Sequence, residues 1–189
     1  MTPSRMPASL RVAVTGQDGA DYGAVDRNAD VAIRGAEPGD AHQIASLLTQ
    51  LGYPSTSDQV KERLAYWLPD AMSLILVAEQ NRRLLGCLSL HAIPYFEQTG
   101  RWARIESLVV DASARGRGTG RALVAAAEDA ARRWDCLAVE VTSLRSRADA
   151  HAFYGRMGYA DVCASSGRFI KALDGADLST SGPPLGVRQ

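Results

Sequence analysis

The sequence has few cysteines, no excess of either charge and no long apolar run. Lysine and arginine together number 21, as do aspartate and glutamate, so the formal net charge is zero. A general nucleic-acid-binding protein usually carries a basic excess, and we therefore expect no nucleic-acid partner. No apolar run reaches the ~18 residues that span a bilayer, and no apolar segment near the N-terminus predicts a signal peptide. We expect a cytoplasmic protein without a membrane partner.

The cysteines and histidines indicate no metal. Cys87, Cys136 and Cys163 are widely spaced, odd in number and form no C-x-x-C pair. This spacing disfavours a disulfide framework or a zinc ribbon, and we expect three buried, inert thiols in a reducing cytoplasm. The three histidines have no metal-ligand spacing either.

Composition divides the chain into three parts. Residues 1–29 are rich in Gly, Asp and Ala and are predicted to be a flexible N-terminal extension. Residues 174–189, DGADLSTSGPPLGVRQ, are predicted to be a flexible tail. Residues 30–173 remain as one compact domain, large enough to bury its own core.

Apolar periodicity predicts the order β-αα-βββ-α-β-α-β within this domain. Asp40 is expected to cap the first helix, with Gln43 in the capping-box position. Hairpins precede the β-α-β crossovers, so the fold should be mixed α/β (α+β), with a mainly antiparallel sheet flanked by helices. The predicted strands cover 31–36, 73–80, 83–93, 101–111, 137–143 and 168–173, and the predicted helices cover 40–51, 57–68, 118–134 and 148–158.

The stretch DASARGRGTGRALV, residues 111–124, follows a strand and opens an alanine-rich helix. A helix N-terminus presents unpaired N–H groups and the positive end of the helix dipole. Glycines let the main chain approach an anion, and Arg115, Arg117 and Arg121 add positive charge. The stretch predicts a phosphate-binding loop; the alternative is a solvated helix start, in which the glycines serve only the turn.

Two phosphate-binding families fit this loop poorly. The chain has no G-x-x-x-x-G-K-S/T sequence, so it lacks a Walker A loop. A dinucleotide fingerprint is disfavoured because the glycine spacing is G-x-G-x-G and the unit follows antiparallel strands, although Glu140 lies at about the distance of the acidic partner.

A third family does match. Residues 115–120, RGRGTG, fit the pattern Gln/Arg-x-x-Gly-x-Gly/Ala after the strand residues LVVD. Residues 150–159, AHAFYGRMGY, fit Ala-x-x-Phe-Tyr-x-x-x-Gly-Phe/Tyr. Together these segments resemble the GNAT superfamily of N-acetyltransferases, and the likeness extends over about residues 31–173. The resemblance implies an acetyl-CoA-dependent N-acetyltransferase (an acyltransferase) with no metal.

The resemblance also implies residue roles. The main chain of Leu108, Val109 and Val110 would line the pantetheine arm. Tyr154 would lie near the thioester sulfur and protonate the departing thiolate, since a phenol with a pKa of about 10 stays protonated at pH 7. Many members carry Asn where Arg147 stands, so its contact with the cofactor is open. The pyrophosphate would be held by the loop residues Arg115, Gly116, Arg117, Gly118, Thr119, Gly120 and Arg121.

The acceptor amine needs a base, because an alkylamine with a pKa of about 10.4 is almost wholly protonated at pH 7. Glu106, a charge beside the apolar residues LVV, is the first candidate, and Glu140 is the second. The alternative for Glu106 is a surface ion pair with Arg104 or Arg101.

We expect direct attack by the primary amine of a small molecule. The alternatives are an acyl-CoA-binding sensor, a protein-interaction module and the acetylation of a protein amine. A homodimer is also compatible with the resemblance. The early helices and the loops that follow would shape the acceptor site, where Tyr53, Trp67, Tyr95 and Phe96 lie.

Overall fold

The computed structural model describes residues 31–165. This part of the chain contains five strands and four α-helices. In chain order they are β1 (Ala32–Gly35), α1 (Ala41–Leu51), α2 (Ser57–Trp67), β2 (Ser73–Gln80), β3 (Arg83–Pro94), β4 (Arg101–Val110), α3 (Thr119–Arg133), β5 (Cys136–Val141) and α4 (Ala148–Arg156). None of these helices is long and apolar enough to cross a membrane.

The five strands form one sheet in the order β1-β2-β3-β4-β5. Neighbouring strands are antiparallel except for β4 and β5, which are parallel. The crossover through α3 accounts for this parallel pair, since parallel neighbours need a long connection. The predicted mixed, mainly antiparallel fold is confirmed. The predicted strand 168–173, the extension 1–29 and the tail 174–189 lie outside the described residues.

Helices cover both faces of the sheet. On one side, here named the α3 face, α3 packs across β2, β3, β4 and β5. Its inward positions are mostly alanines, such as Ala126, Ala127 and Ala130, which let the helix lie close to buried Leu88 and Leu90. The opposite α1–α2 face is covered by the two early helices, whose apolar positions pack on β2 and β3. The end of β4 is therefore packed between helices on both faces of the sheet.

The capping box expected at the start of α1 is not formed. The Asp40 carboxylate instead accepts two hydrogen bonds from Arg34, at 2.7 and 2.8 Å, and one from the N–H of Glu37 at 2.8 Å. Gln43 reaches β3, where its side-chain oxygen accepts from the N–H of Leu84 at 2.8 Å. A bidentate guanidinium–carboxylate pair is stronger than a neutral cap, which explains the difference.

A β-bulge in β3 ties the end of β4 to its neighbour. Gly86 pairs with Ala78 and Leu84 pairs with Glu79, so Leu85 is an extra residue with no partner on β2. Its carbonyl accepts a hydrogen bond at 2.8 Å from the N–H of Asp111, the residue after β4. The chain is therefore held at the point where it leaves the sheet.

A second bulge lies in β4 at Glu106. Ile105 pairs with Leu90 and Ser107 pairs with Ser89, so Glu106 has no partner on β3. Ile105 belongs to the core on the α3 face, whereas the hydroxyls of Ser89 and Ser107 lie 2.7 Å apart on the opposite face. Glu106 is an added residue between these two regular pairs.

Candidate active site

Asp111 anchors the base of the glycine loop. Its carboxylate accepts from the N–H of Ser113 at 2.9 Å, from Gln50 of α1 at 3.2 Å and from Arg83 of β3 at 3.2 Å. The Gln50 side-chain oxygen accepts in return from the N–H of Ala112 at 3.0 Å. Hydrogen bonds from the Ser113 hydroxyl, and then from Gln50, hold the pKa of Asp111 well below its usual range. The loop thus starts from a charged, fully bonded anchor.

The glycines of the loop take conformations that a side chain would strain. Gly116 has φ 74° and Gly118 has φ 87°, both in the left-handed region. No atom lies within 4 Å of the Cβ position at either residue, so this side of the loop is open. Space and free N–H groups at the start of α3 are what an oxyanion requires.

The side chains around the loop differ in whether they are free to contact a bound anion. Arg115 folds back, and its Nε donates to the carbonyl of Val110 at 3.2 Å. Arg117 and Arg121 are exposed, and among the described residues neither has an ion-pair partner. Thr119 is buried, only 5% exposed, so it offers a ligand its main-chain N–H and not its hydroxyl. Two arginines therefore remain at the rim for an anion.

The edge of β4 beside the loop has no strand partner in the part of the chain that the structure describes. Pairing with β5 ends where Ile105 meets Val141. Leu108 is partly buried toward the α3 face, and Val109, 3% exposed, packs on the α1–α2 face. With these side chains turned into the two cores, residues 106–110 present main-chain N–H and C=O groups along this edge.

Tyr154 lies on α4 beside the loop. Its ring packs edge to face between Phe153 at 5.1 Å and Tyr159 at 5.5 Å, measured between ring centroids. A Cβ placed on Gly120 would meet the ring of Phe153 at 3.6 Å, which shows how closely α4 approaches the start of α3. Burial raises the pKa of Tyr154 to about 12, and the charge of Arg147 opposes this rise.

Arg147 connects α4 to α1. It stands immediately before α4, seven residues from Tyr154 and therefore on the same helix face. Its guanidinium donates to the carbonyl of Leu51, the last residue of α1, at 3.0 Å. Arg147, which stands where many members of the resembled family carry asparagine, thus links the start of α4 to the end of α1.

Glu106 lies in the ion-paired group expected as the alternative to a catalytic role. Arg104 donates from its Nε to Glu106 at 2.9 Å and from another nitrogen to Glu140 at 2.8 Å. The Glu106 side chain remains 45% exposed and that of Glu140 41% exposed. Glu106 and Glu140 therefore both pair with Arg104, and each carboxylate side chain remains partly exposed to solvent.

Sequence reasoning missed the anchor of the loop and the bulge that carries Glu106. The segment Asp111-Ala112-Ser113 does carry a local signal, because an aspartate two residues before a serine favours a turn closed by its own carboxylate. Gln50 is 61 residues from Asp111, and no local pattern links the two. The spacing of apolar residues does not reveal the bulge without the partner strand.

Comparison with known proteins agrees with this arrangement. A mixed sheet whose fourth strand leads through a glycine loop into a helix defines an acetyltransferase-like fold. Residues 41–159 match the model of the acetyltransferase (GNAT) family. Since this match covers more than half of the chain, the protein belongs to the GNAT acetyltransferase family.

Individual relatives are more distant. The aminoalkylphosphonate N-acetyltransferase of Salmonella typhimurium is 36% identical over 97 residues, which are 51% of this chain and 61% of that protein. The match therefore spans less than two thirds of that relative. A putative acetyltransferase from Agrobacterium tumefaciens has a TM-score of 0.66 at 27% identity, covering 75% of this chain and 99% of that chain. A transcriptional regulator from Bacillus halodurans has a TM-score of 0.66 at 25% identity, covering 76% and 99%.

Proposed function

We propose that this protein transfers an acetyl group from acetyl-CoA to the primary amine of a small molecule by direct attack. The observation that carries the proposal is the open glycine loop at the start of α3, which lies beside Tyr154. Family membership supports the choice of acetyl-CoA as co-substrate.

The loop supplies the binding energy for the phosphates. The first N–H groups of α3 have no intrahelical partner and point out of the helix end. Gly116 and Gly118 leave room for phosphate oxygens, and Arg117 and Arg121 add charge at the rim. The free main-chain edge of residues 106–110 would then hydrogen-bond the amides of the pantetheine arm.

We assign proton removal from the acceptor to Glu106. About one alkylamine in a few thousand is neutral at pH 7, which costs roughly 4–5 kcal/mol without a base. The bulge sets this carboxylate at the point where β4 loses its β5 partner. Glu140 shares Arg104 and remains the second candidate.

We assign to Tyr154 a hydrogen bond toward the departing sulfur. The nitrogen–carbon bond forms while the carbon–sulfur bond breaks, and negative charge develops on the sulfur. A thiol has a pKa of about 8.5, well below the value of about 12 that burial gives Tyr154. Before acetyl-CoA binds, Tyr154 can therefore donate a hydrogen bond to a thiolate more easily than it can transfer its proton. The positive charge of Arg147 favours proton transfer, because it stabilises the phenolate.

The acceptor class rests on the curated relative, whose name specifies aminoalkylphosphonates. We test 2-aminoethylphosphonate first, with ethanolamine as the amine that lacks the phosphonate and a lysine-containing peptide as the protein-like amine. The expectation of three buried thiols is wrong for Cys163, which is exposed. Coenzyme A release is therefore best followed by chromatography, because an exposed thiol reacts with thiol reagents.

We expect small amines to accelerate coenzyme A release and the peptide to have little effect. Preferential use of the peptide would replace the small-molecule acceptor with a protein amine. If acetyl-CoA bound but no amine accelerated its cleavage, an acyl-CoA-binding sensor would take the place of the enzyme.

A further inference from the structure

Three polar residues outside the groups already assigned form a connected relay on the α1–α2 face. The Ser73 hydroxyl donates to the Asp70 carboxylate at 2.6 Å. The same Ser73 oxygen lies 2.7 Å from Nδ1 of His91 on β3. Trp67, at the end of α2, packs edge-on against the imidazole with ring centroids 6.3 Å apart. The imidazole is thus fixed by a hydrogen bond and by a ring contact.

The position of each proton follows from chemistry. A serine hydroxyl has one proton, and the short contact with the acceptor-only carboxylate uses it. The Ser73 oxygen must then accept from His91, so Nδ1 carries a proton, and in the neutral imidazole Nε2 has the free lone pair. The hydrogen bond from Ser73, together with the N–H of Met72, holds the pKa of Asp70 below its usual value, so Asp70 is a carboxylate at neutral pH.

The relay lies beside the candidate base. His91 pairs with Arg104 across β3 and β4, and Arg104 donates to Glu106 at 2.9 Å. The imidazole side chain is 37% exposed, and no described residue is hydrogen-bonded to its Nε2. Three carboxylates, those of Asp70, Glu106 and Glu140, lie near the single Arg104 guanidinium, which favours the ammonium end of a ligand here.

We propose that the Asp70–Ser73–His91 relay is an acceptor-binding element, in which Nε2 of His91 accepts a hydrogen bond from the ammonium group of the small amine beside Glu106. This inference rests on the proposed function. It adds to the acceptor site a group that lies beside Arg104, six residues before β4 ends at Val110. His91 and Ser73 then determine how well an amine binds, while the coenzyme loop is independent of them.

The test measures the binding of 2-aminoethylphosphonate by calorimetry at pH 8 in the presence of saturating coenzyme A. His91→Phe keeps an aromatic ring against Trp67 and removes both nitrogens. We expect it to weaken amine binding by about 10-fold or more, as for loss of a hydrogen bond to a charged group, with acetyl-CoA affinity unchanged. The matched control is His42→Phe, at an exposed position of α1, which should leave both affinities unchanged.

A second variant keeps the inference testable if His91→Phe fails to fold. Ser73→Ala removes the acceptor for Nδ1–H, so it should weaken amine binding by about 3-fold and release the imidazole from a single tautomer. Long-range proton–nitrogen NMR of the wild-type imidazole should show Nδ1–H, and Ser73→Ala should show a mixture.

The results separate the two proposals. Equal amine binding by wild type and His91→Phe, or a wild-type imidazole with its proton on Nε2, would overturn the relay and leave the proposed function intact. Failure of the wild-type protein to bind any small amine would overturn the relay and the small-molecule acceptor together.

Discussion

The half of the candidate site at the glycine loop is built from main chain, whereas the half on the sheet face is built from side chains. Around the loop, Gly116 and Gly118 are exposed and have positive φ, and the polar side chain of Thr119 is buried. On the sheet face, Arg104 and Glu106 make specific ion pairs. A main-chain site tolerates change in most side chains but not in its glycines, while a side-chain site can be retuned one residue at a time.

The largest effect is expected from a substitution in the glycine loop. Gly118→Asp adds a side chain where φ is 87° and a negative charge where phosphates would lie. We expect acetyl-CoA affinity to fall by more than about 100-fold, since several charge-assisted hydrogen bonds are lost. Calorimetry measures the affinity. Gly39→Asp, at an exposed glycine with no atom within 4 Å of its Cβ position, is the control and should bind normally.

Tyr154→Phe tests the group that lies between the two halves. The change removes one hydroxyl and keeps the packed ring, so acetyl-CoA affinity should change little. We expect kcat to fall by about 100-fold, as for loss of one hydrogen-bond donor to the charge that develops in the transition state. Steady-state kinetics across pH 6–9 measures this, and the exposed Tyr66 provides the control Tyr66→Phe. Wild-type turnover would leave Tyr154 a structural residue.

The pH dependence of that experiment has a definite sign. The raised pKa of Tyr154 keeps the phenol protonated through pH 9. The same shift adds stability that is fully present below about pH 10 and is lost as the pH rises through about 12. Loss of kcat by ionisation of Tyr154 below pH 9 would contradict the buried position.

Gly86→Ala tests the packing of β3 against β4 and α3, at a position away from the open side of the glycine loop. An added Cβ would lie 2.9 Å from the Val109 carbonyl and 3.0 Å from the side chain of Leu123 on α3. We expect the free energy of unfolding to fall by about 1–3 kcal/mol, as for overpacking in a core. Urea denaturation measures it. Gly39→Ala adds the same methyl group in open space and should change stability by less than about 0.5 kcal/mol.

Glu106→Gln, in the half built from side chains, should give the smallest effect. We expect the rate at pH 7 to fall by about 10-fold and to recover partly at pH 9.5, where about a tenth of the amine is already neutral. Glu140→Gln removes a carboxylate from the same Arg104 and is the matched control. If both variants lost activity equally at every pH, the ion-pair group and not a base would explain the loss.

Local patterns predict the main-chain half of the site and much of the fold. The strand 73–80 coincides with β2 because its apolar run is bounded by turn residues. The glycine loop can be predicted because its chemistry lies in consecutive residues. The side-chain half is predicted only in part. Glu106 and Arg104 are two residues apart, so their pair could be expected. Glu140 and His91, in contrast, meet Arg104 only after the strands pair. Asp40 is bound by Arg34 where a local cap was expected, and His91 meets Ser73 only after β2 and β3 pair.

The bulge at Glu106 can be gained or lost in evolution without a change in the pairing of the residues on either side of it. Without Glu106, Ile105 and Ser107 would be adjacent and still face Leu90 and Ser89 in a regular ladder. Inserting or deleting a single codon would therefore add or remove this carboxylate while every core side chain kept its neighbour. A lineage can gain or lose the proposed base Glu106 in one genetic event, with the hydrophobic interior left as it was.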